Sequence, residues 1–295
     1  MSAPKSVYVF GESAWIIFMR EIEVENVENT KIDYVKSTWN PVTGCLHGCE
    51  YCYARGIANR FGGYRDAPGK IVELDEPVID SLFKREPYPY NFTPTLHRYR
   101  LNEYRDKKGR NIFVCSMADL FGDWVPDSWI EEVFDACDRA PQHNYLFLSK
   151  NPKRYAEAVR SNIKSHVSGH MDNYWFGTTV TTNSDVAYNS YELSETTEQL
   201  AGTVGKINTF VSIEPLLEKL LSLSIKWLME FDWIIVGAET GRRKGKIIPE
   251  RRCIESIVEQ CKITGTPLFM KSSLADVWGE PLIQEFPVGL RKLGL

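Results

Sequence analysis

The sequence predicts an α/β fold of parallel strands, a partial or full (β/α) barrel, and three observations carry that expectation. After Lys36, short apolar runs alternate with amphipathic stretches, the order of a parallel βα array. The run FDWIIVGA at 231–238 is almost wholly apolar, as a parallel strand covered on both faces must be. Polar residues recur just past the apolar strand cores, and in βα barrels that edge carries the active site.

In chain order, residues 37–43 read as the first strand, running into a cysteine-bearing loop and a helix over 53–60. Residues 111–117 form the second strand. Asp127 then serves as N-cap for a helix over 128–139, where Trp129, Ile130, Val133, Phe134 and Cys137 recur at helical spacing. The third strand is 144–149, with a helix over 152–162; the fourth is 174–181 and the fifth 206–214. The sixth, 231–238, precedes a helix over 250–264 and a last strand over 267–271. Residues 33–295 are thus assigned to one βα barrel domain. Residues 1–32, with VYVF and AWIIFM, read as an N-terminal extension, a strand or hairpin packed on the barrel.

The 295 residues are 43% hydrophobic and 25% charged, as in ordinary globular chains. The longest apolar runs, 14–19 and 233–238, are too short to span a bilayer, and the N-terminus lacks the order of a secretory signal. The expectation is a cytoplasmic protein without a membrane partner, in a compartment that keeps thiols reduced. Seven cysteines, an odd number, then argue against a disulfide framework and for metal binding or catalysis. A formal net charge of −4 excludes polyanion binding by bulk electrostatics but leaves local patches, because screening confines each field to ~10 Å.

The chemistry-bearing segment is Cys45-Leu46-His47-Gly48-Cys49-Glu50-Tyr51-Cys52. Three close thiolates suit a soft or borderline metal. A closed structural zinc site needs a fourth ligand, and His47, between the cysteines, is poorly placed to close the same small ring. An iron–sulfur cube held by three cysteines instead keeps one iron open, as catalytic metal sites generally do. Zinc, or core cysteines clustered by coincidence, are the alternatives.

The spacing, three residues and then two, is the signature of the radical SAM superfamily, which this segment closely resembles. TWNPVTGC (38–45), PTLHRYRL (94–101), VCSMADLFG (114–122), FVSIEPLL (210–217) and DWIIVGAETG (232–241) follow in order. Together they resemble the phage-associated family of radical SAM-like proteins of unassigned function, over roughly residues 33–278. The resemblance implies a barrel of the radical SAM type and a [4Fe-4S] cluster on Cys45, Cys49 and Cys52. It also implies S-adenosyl-L-methionine chelated at the open iron, and an electron donor such as a flavodoxin or ferredoxin. Tyr51, just before the third cysteine, is implied to lie by the adenine, and Ser116 and Asp119 to hold the methionine amino group. Asp119 capping a turn before Phe121 is the plainer reading.

Other candidates come from the strand ends. Thr179 and Thr181 suit ribose hydroxyls, although threonines are common there. Glu214 and Glu239 end apolar strands, where an unpaired carboxylate is costly, so both are site candidates with Lys150 and Lys271 as cationic partners. Rim ion pairing is the alternative. Cys115 is a candidate hydrogen-atom donor to a substrate radical or, more plainly, a small buried hydrophobe. Cys137, Cys253 and Cys261 read as core, and His143, His166 and His170 show no ligand spacing. Residues 84–110 interleave eight basic side chains with aromatics, and Arg242, Arg243, Lys244 and Lys246 form a second basic run. Both suit phosphates and unpaired bases, or simply solvent. The expected function is radical SAM modification or repair of a nucleobase, nucleotide or nucleic acid. Two alternatives stay open: a non-catalytic zinc-containing nucleic-acid-binding protein, and a radical SAM enzyme for a peptide or small metabolite.

Overall fold

The computed structural model describes residues 30, 32–63, 65–165, 171–221 and 223–291. The expected N-terminal strand or hairpin, like His166 and His170, falls outside them. Among the described residues the strands are β1 (Ser37–Trp39), β2 (Val42–Thr43), β3 (Val72–Leu74), β4 (Thr95–His97), β5 (Asn111–Val114), β6 (Asn144–Ser149), β7 (Tyr174–Thr179), β8 (Asn208–Ile213), β9 (Trp233–Val236) and β10 (Leu268–Met270). The longer helices are α1 (Tyr53–Phe61), α2 (Asp127–Asp138), α3 (Arg154–Ser165), α4 (Tyr191–Val204) and α5 (Arg251–Thr264). A seven-stranded sheet runs β1-β5-β6-β7-β8-β9-β10, every neighbouring pair parallel. It curls into an open half-barrel with helices between successive strands, the partial form of the partial or full barrel that the alternation of runs predicts.

Period-two alternation sorts the strand residues onto two faces. The outer face, with Val114, Phe147, Phe176, Val211, Ile234 and Val236, packs under apolar stripes such as Trp129, Ile130, Val133, Phe134 and Cys137 of α2. Phe113, Leu146, Trp175, Phe210, Trp233 and Phe269 point inward, joined by Tyr34 and Leu290. The chain near the C-terminus is tied there by Asn111 Nδ2 to the Leu290 carbonyl (3.0 Å) and Asn144 Nδ2 to the Gly289 carbonyl (3.2 Å). Aromatic bulk therefore plugs the N-terminal half of the inner face. Toward the strand C-termini the inward positions become Gly177, Ser212 and Gly237, and the plug gives way to small and polar groups.

Two expected elements are corrected. Residues 37–43 form two strands in different sheets: β1 pairs with β5, while β2 pairs antiparallel with β4 in a small β2-β4-β3 sheet. Asn40 and Pro41 make the break, since proline offers no N–H to continue a ladder. The second strand ends at Val114 because Cys115 turns the chain with φ +56°, a left-handed conformation sparsely populated by side-chain-bearing residues. Asp127 is the first residue of α2 rather than its cap. Pro126 holds the cap position, and the Asp127 carboxylate pairs with Arg154.

Candidate active site

Gly44, with φ +87°, ends the passage from β2, and its N–H donates to the Met117 carbonyl at 2.8 Å. Cys45 follows, its N–H reaching the Phe92 carbonyl (3.3 Å), and the loop then runs through Gly48 (φ +74°) to Cys52. Cys52 caps α1: its Sγ accepts the Arg55 N–H at 3.4 Å, where the helix end favours negative charge. The three thiols are free and half-buried. Burial pushes the Cys45 thiol up to about 12, with partial relief from the His47 backbone N–H. As the side chains lie, no three His, Cys, Asp or Glu groups among the described residues stand close enough to hold a metal ion. The donor set still suits an iron–sulfur cluster: three unpaired thiols share one short loop at a helix N-terminus, and the intervening histidine is engaged elsewhere.

His47 Nε2 lies 2.7 Å from Asp119 Oδ2, with its ring edge-on to Trp124 at 4.8 Å. Asp119 is 5% exposed, and its two oxygens also take the Ser149 hydroxyl (2.7 Å), the Phe121 N–H (3.0 Å) and the Lys150 N–H (3.0 Å). A carboxylate offers about four lone-pair sites, and here all are used inside the protein. Asp119 therefore bolts the cysteine loop to the ends of β5 and β6. Ser116 is likewise engaged: its hydroxyl donates to Asn40 Oδ1 (3.1 Å), and its carbonyl accepts the Tyr53 hydroxyl (3.0 Å). Asn40, Tyr53 and His47 were not singled out from the sequence as site residues. Contacts 63 to 76 positions apart in the chain leave no local signal for them.

Lys150 Nζ stands 5.8 Å from the Tyr51 ring centroid, a cation–π geometry that brings two predicted site residues together. Lys271 pairs with Glu214 and lies 5.8 Å over the Tyr34 ring. Both side chains cross above Gly237, where a Cβ would stand 3.1 Å from Lys271 Cδ and 3.3 Å from Glu214 Cδ. The expected lysine partner for Glu239 is corrected. Glu239 forms a two-pronged pair with Arg243 (2.7 and 2.8 Å) and accepts the Ile247 N–H (3.2 Å); the guanidinium holds its carboxyl below the usual range. Arg243 in turn sits 3.6 Å from Glu50 of the cysteine loop.

Thr181 gives both its N–H and hydroxyl to Asp185, while the Thr179 side chain faces inward beside Ser212. The Ser212 hydroxyl is buried without a hydrogen-bond partner, an inward polar group available to a ligand. Cys115 is 4% exposed within the outer core cluster, and burial pushes its thiol up to about 12. Cys137, Cys253 and Cys261 also lie in that cluster. A surface depression of about 500 Å³ between α2 and α3 is lined by none of the predicted site residues.

Part of the basic–aromatic segment at 84–110 is consumed by the fold, while Lys84, Arg105, Lys107 and Lys108 stay exposed. Arg98 is paired with Glu73, Asp75 and Glu132, Arg85 with Glu103, and Arg100 is buried on the Asn40 and Pro87 carbonyls. Tyr104 and His97 are core residues. His97 Nε2 is 2.9 Å from the Thr43 hydroxyl, linking β4 to β2 beneath the cysteine loop, and Nδ1 is 3.0 Å from the Tyr99 hydroxyl. Burial, then the charges of Arg100 and Arg85, hold its pKa well below 6.5. The unfolded chain thus takes up a proton that the folded one refuses. Stability is full above 6.5 and falls as pH drops toward the folded value, by up to about 1.4 kcal/mol per unit. Melting should therefore come earlier near pH 5.5 than near pH 7.5, and His97→Gln should shrink that difference. Identical shifts in both proteins would contradict the assignment.

Among the described residues no helix is long and apolar enough to cross a membrane. No curated protein matches the chain. Among solved structures, it is similar to a spore photoproduct lyase variant with dinucleoside spore photoproduct: TM-score 0.50, 8% identity, covering 83% of this chain and 78% of that one. Another structure of that lyase with the same ligand gives 0.48, 9%, 84% and 79%. At such identity the likeness speaks for the half-barrel alone. The family model described as a protein of unknown function, DUF5131, matches residues 29–284. That span holds the cysteine loop and every strand of both sheets, and the chain belongs to the DUF5131 family.

Proposed function

We propose that this protein is a radical SAM enzyme that binds a [4Fe-4S] cluster on Cys45, Cys49 and Cys52 and acts on a nucleobase, nucleotide or nucleic acid. The observation that carries the reading is the loop itself: three unpaired thiols in eight residues, following the first strand of a parallel half-barrel. When bound, the cluster supplies one electron that breaks a carbon–sulfur bond of S-adenosylmethionine and yields a 5′-deoxyadenosyl radical. The chain's own task is positioning and exclusion. Asp119 fixes the loop through His47, Tyr51 offers a ring beside Lys150, and Thr179 and Ser212 offer inward hydroxyls. The aromatic plug below them keeps water from the inner face. Glu214 and Lys271 supply a charge pair facing the same space. A nucleobase-bearing substrate is preferred because a lyase of similar fold is solved with dinucleoside spore photoproduct.

The test is anaerobic reconstitution of the full chain. About four irons per chain are expected, with 5′-deoxyadenosine released from S-adenosylmethionine once reductant is added. Colourless protein carrying stoichiometric zinc would overturn the reading.

A further inference from the structure

The loop that leaves β9 is held at its root. Glu239, its side chain 1% exposed, grips Arg243 with both oxygens and also takes the Ile247 N–H. Between these anchors Gly241 and Gly245 adopt φ +86° and +80°, turns that side-chain-bearing residues rarely make. Arg242, Lys244 and Lys246 are left exposed, and none of their side chains has a hydrogen bond or ion pair among the described residues. Nearby acids are committed mainly elsewhere: Glu239, which Lys246 reaches only through space, and Glu50 face Arg243, and Glu250 is paired with Arg252. Ile247 and Ile248, 40% and 66% exposed, form an apolar shoulder alongside. The Arg243–Glu50 contact sets this strap against the cysteine loop.

We infer that the strap 241–248 is the docking surface for the phosphate backbone of a polynucleotide strand, delivered to the mouth beside the cysteine loop. This rests on the proposed function and narrows its substrate to a polymer. A free nucleotide carries its phosphates at one end, and a peptide presents no regular row of anions. The turns at Gly241 and Gly245 gather Arg242, Lys244 and Lys246, whose Cα atoms are at most ~7 Å apart per step, into one exposed cluster that can meet several neighbouring phosphates of a strand. The overall charge of −4 opposes polyanions at long range, so a local and rigidly rooted cluster is what such binding requires. In the other basic segment Arg85, Arg98 and Arg100 are tied into the fold, while the exposed Arg105, Lys107 and Lys108 precede β5 and are held through their turn by Gln142, at the strand ends opposite the cysteine loop.

The experiment is fluorescence anisotropy of the full chain with labelled single-stranded 20-mers, one DNA and one RNA of matching sequence, across a KCl series. Three neutralised phosphates give a slope of log affinity on log salt of about −2, a loss of about 16-fold between 50 and 200 mM. Replacing Arg242, Lys244 and Lys246 together by serine should make the slope shallower by about 2, again following the count of phosphates. Arg242→Lys with Lys244→Arg and Lys246→Arg should keep it, which separates lost charge from lost folding. An unchanged slope in the serine variant, or no measurable binding of either 20-mer by the wild-type chain, overturns the inference. The stronger of the two arms identifies which polymer supplies the phosphates. Wild-type protein that binds with the expected slope yet releases no 5′-deoxyadenosine supports the strap and overturns the chemistry instead.

Discussion

Replacing any one of Cys45, Cys49 or Cys52 by alanine should lower iron to well under one atom per chain and cut 5′-deoxyadenosine release by more than about 100-fold. Loss of groups that merely orient metal ligands already costs 10- to 100-fold, and these residues are the proposed ligands themselves. The same change at Cys137, Cys253 or Cys261 should act differently, because those thiols are buried in the outer core. There the cost is a small cavity of about 1 kcal/mol, seen as earlier melting with iron content intact. Iron analysis and a thermal scan on all six variants separate the two sets. If a core cysteine governs iron, or a loop cysteine does not, the ligand assignment is wrong.

Gly44→Ala should be the most damaging single-methyl change near the site. A Cβ there would stand 2.3 Å from the Thr93 carbonyl oxygen and 2.6 Å from Pro94 N, both main-chain atoms that no rotamer change can move. Left-handed backbone adds strain at φ +87°. Strain and overpacking together come to about 2–5 kcal/mol, enough to lower the melting temperature by roughly 3–8 °C. Because Cys45 is the next residue, iron uptake should fall with it. Gly48→Ala is the control: φ is +74°, but nothing lies within 4 Å of the added methyl, so only strain of about 1 kcal/mol remains. Equal melting of the two variants would show that the close approach of residues 93 and 94 does not govern this loop.

The contrast between those glycines marks where local sequence stops being informative. Six of the seven parallel strands are legible as largely apolar runs, because a strand buried on both faces must be mostly apolar, a property of contiguous residues; β1, Ser37–Trp39, is not. The thiol trio is legible for the same reason: one loop contains the proposed donor set. The loop's attachments are not legible. Asp119 reads as a ligand-binding carboxylate and is spent on His47, Ser149 and two backbone amides; Glu239 reads as a partner for lysine and takes Arg243. Residues 84–110 read as a nucleic-acid face, yet Arg98 answers the acids of β3 and α2 and Arg100 the carbonyls of a neighbouring loop.

The sequence by itself determined the parallel βα succession, a partial or full barrel, and the loop of thiols, since each follows from side chains adjacent along the chain. Only the tertiary structure decided which charges are spent internally and which face outward. A charge chooses its partner by distance in space, and His47–Asp119, Arg98–Glu132 and Lys271–Glu214 are brought together across 34 to 72 positions of chain.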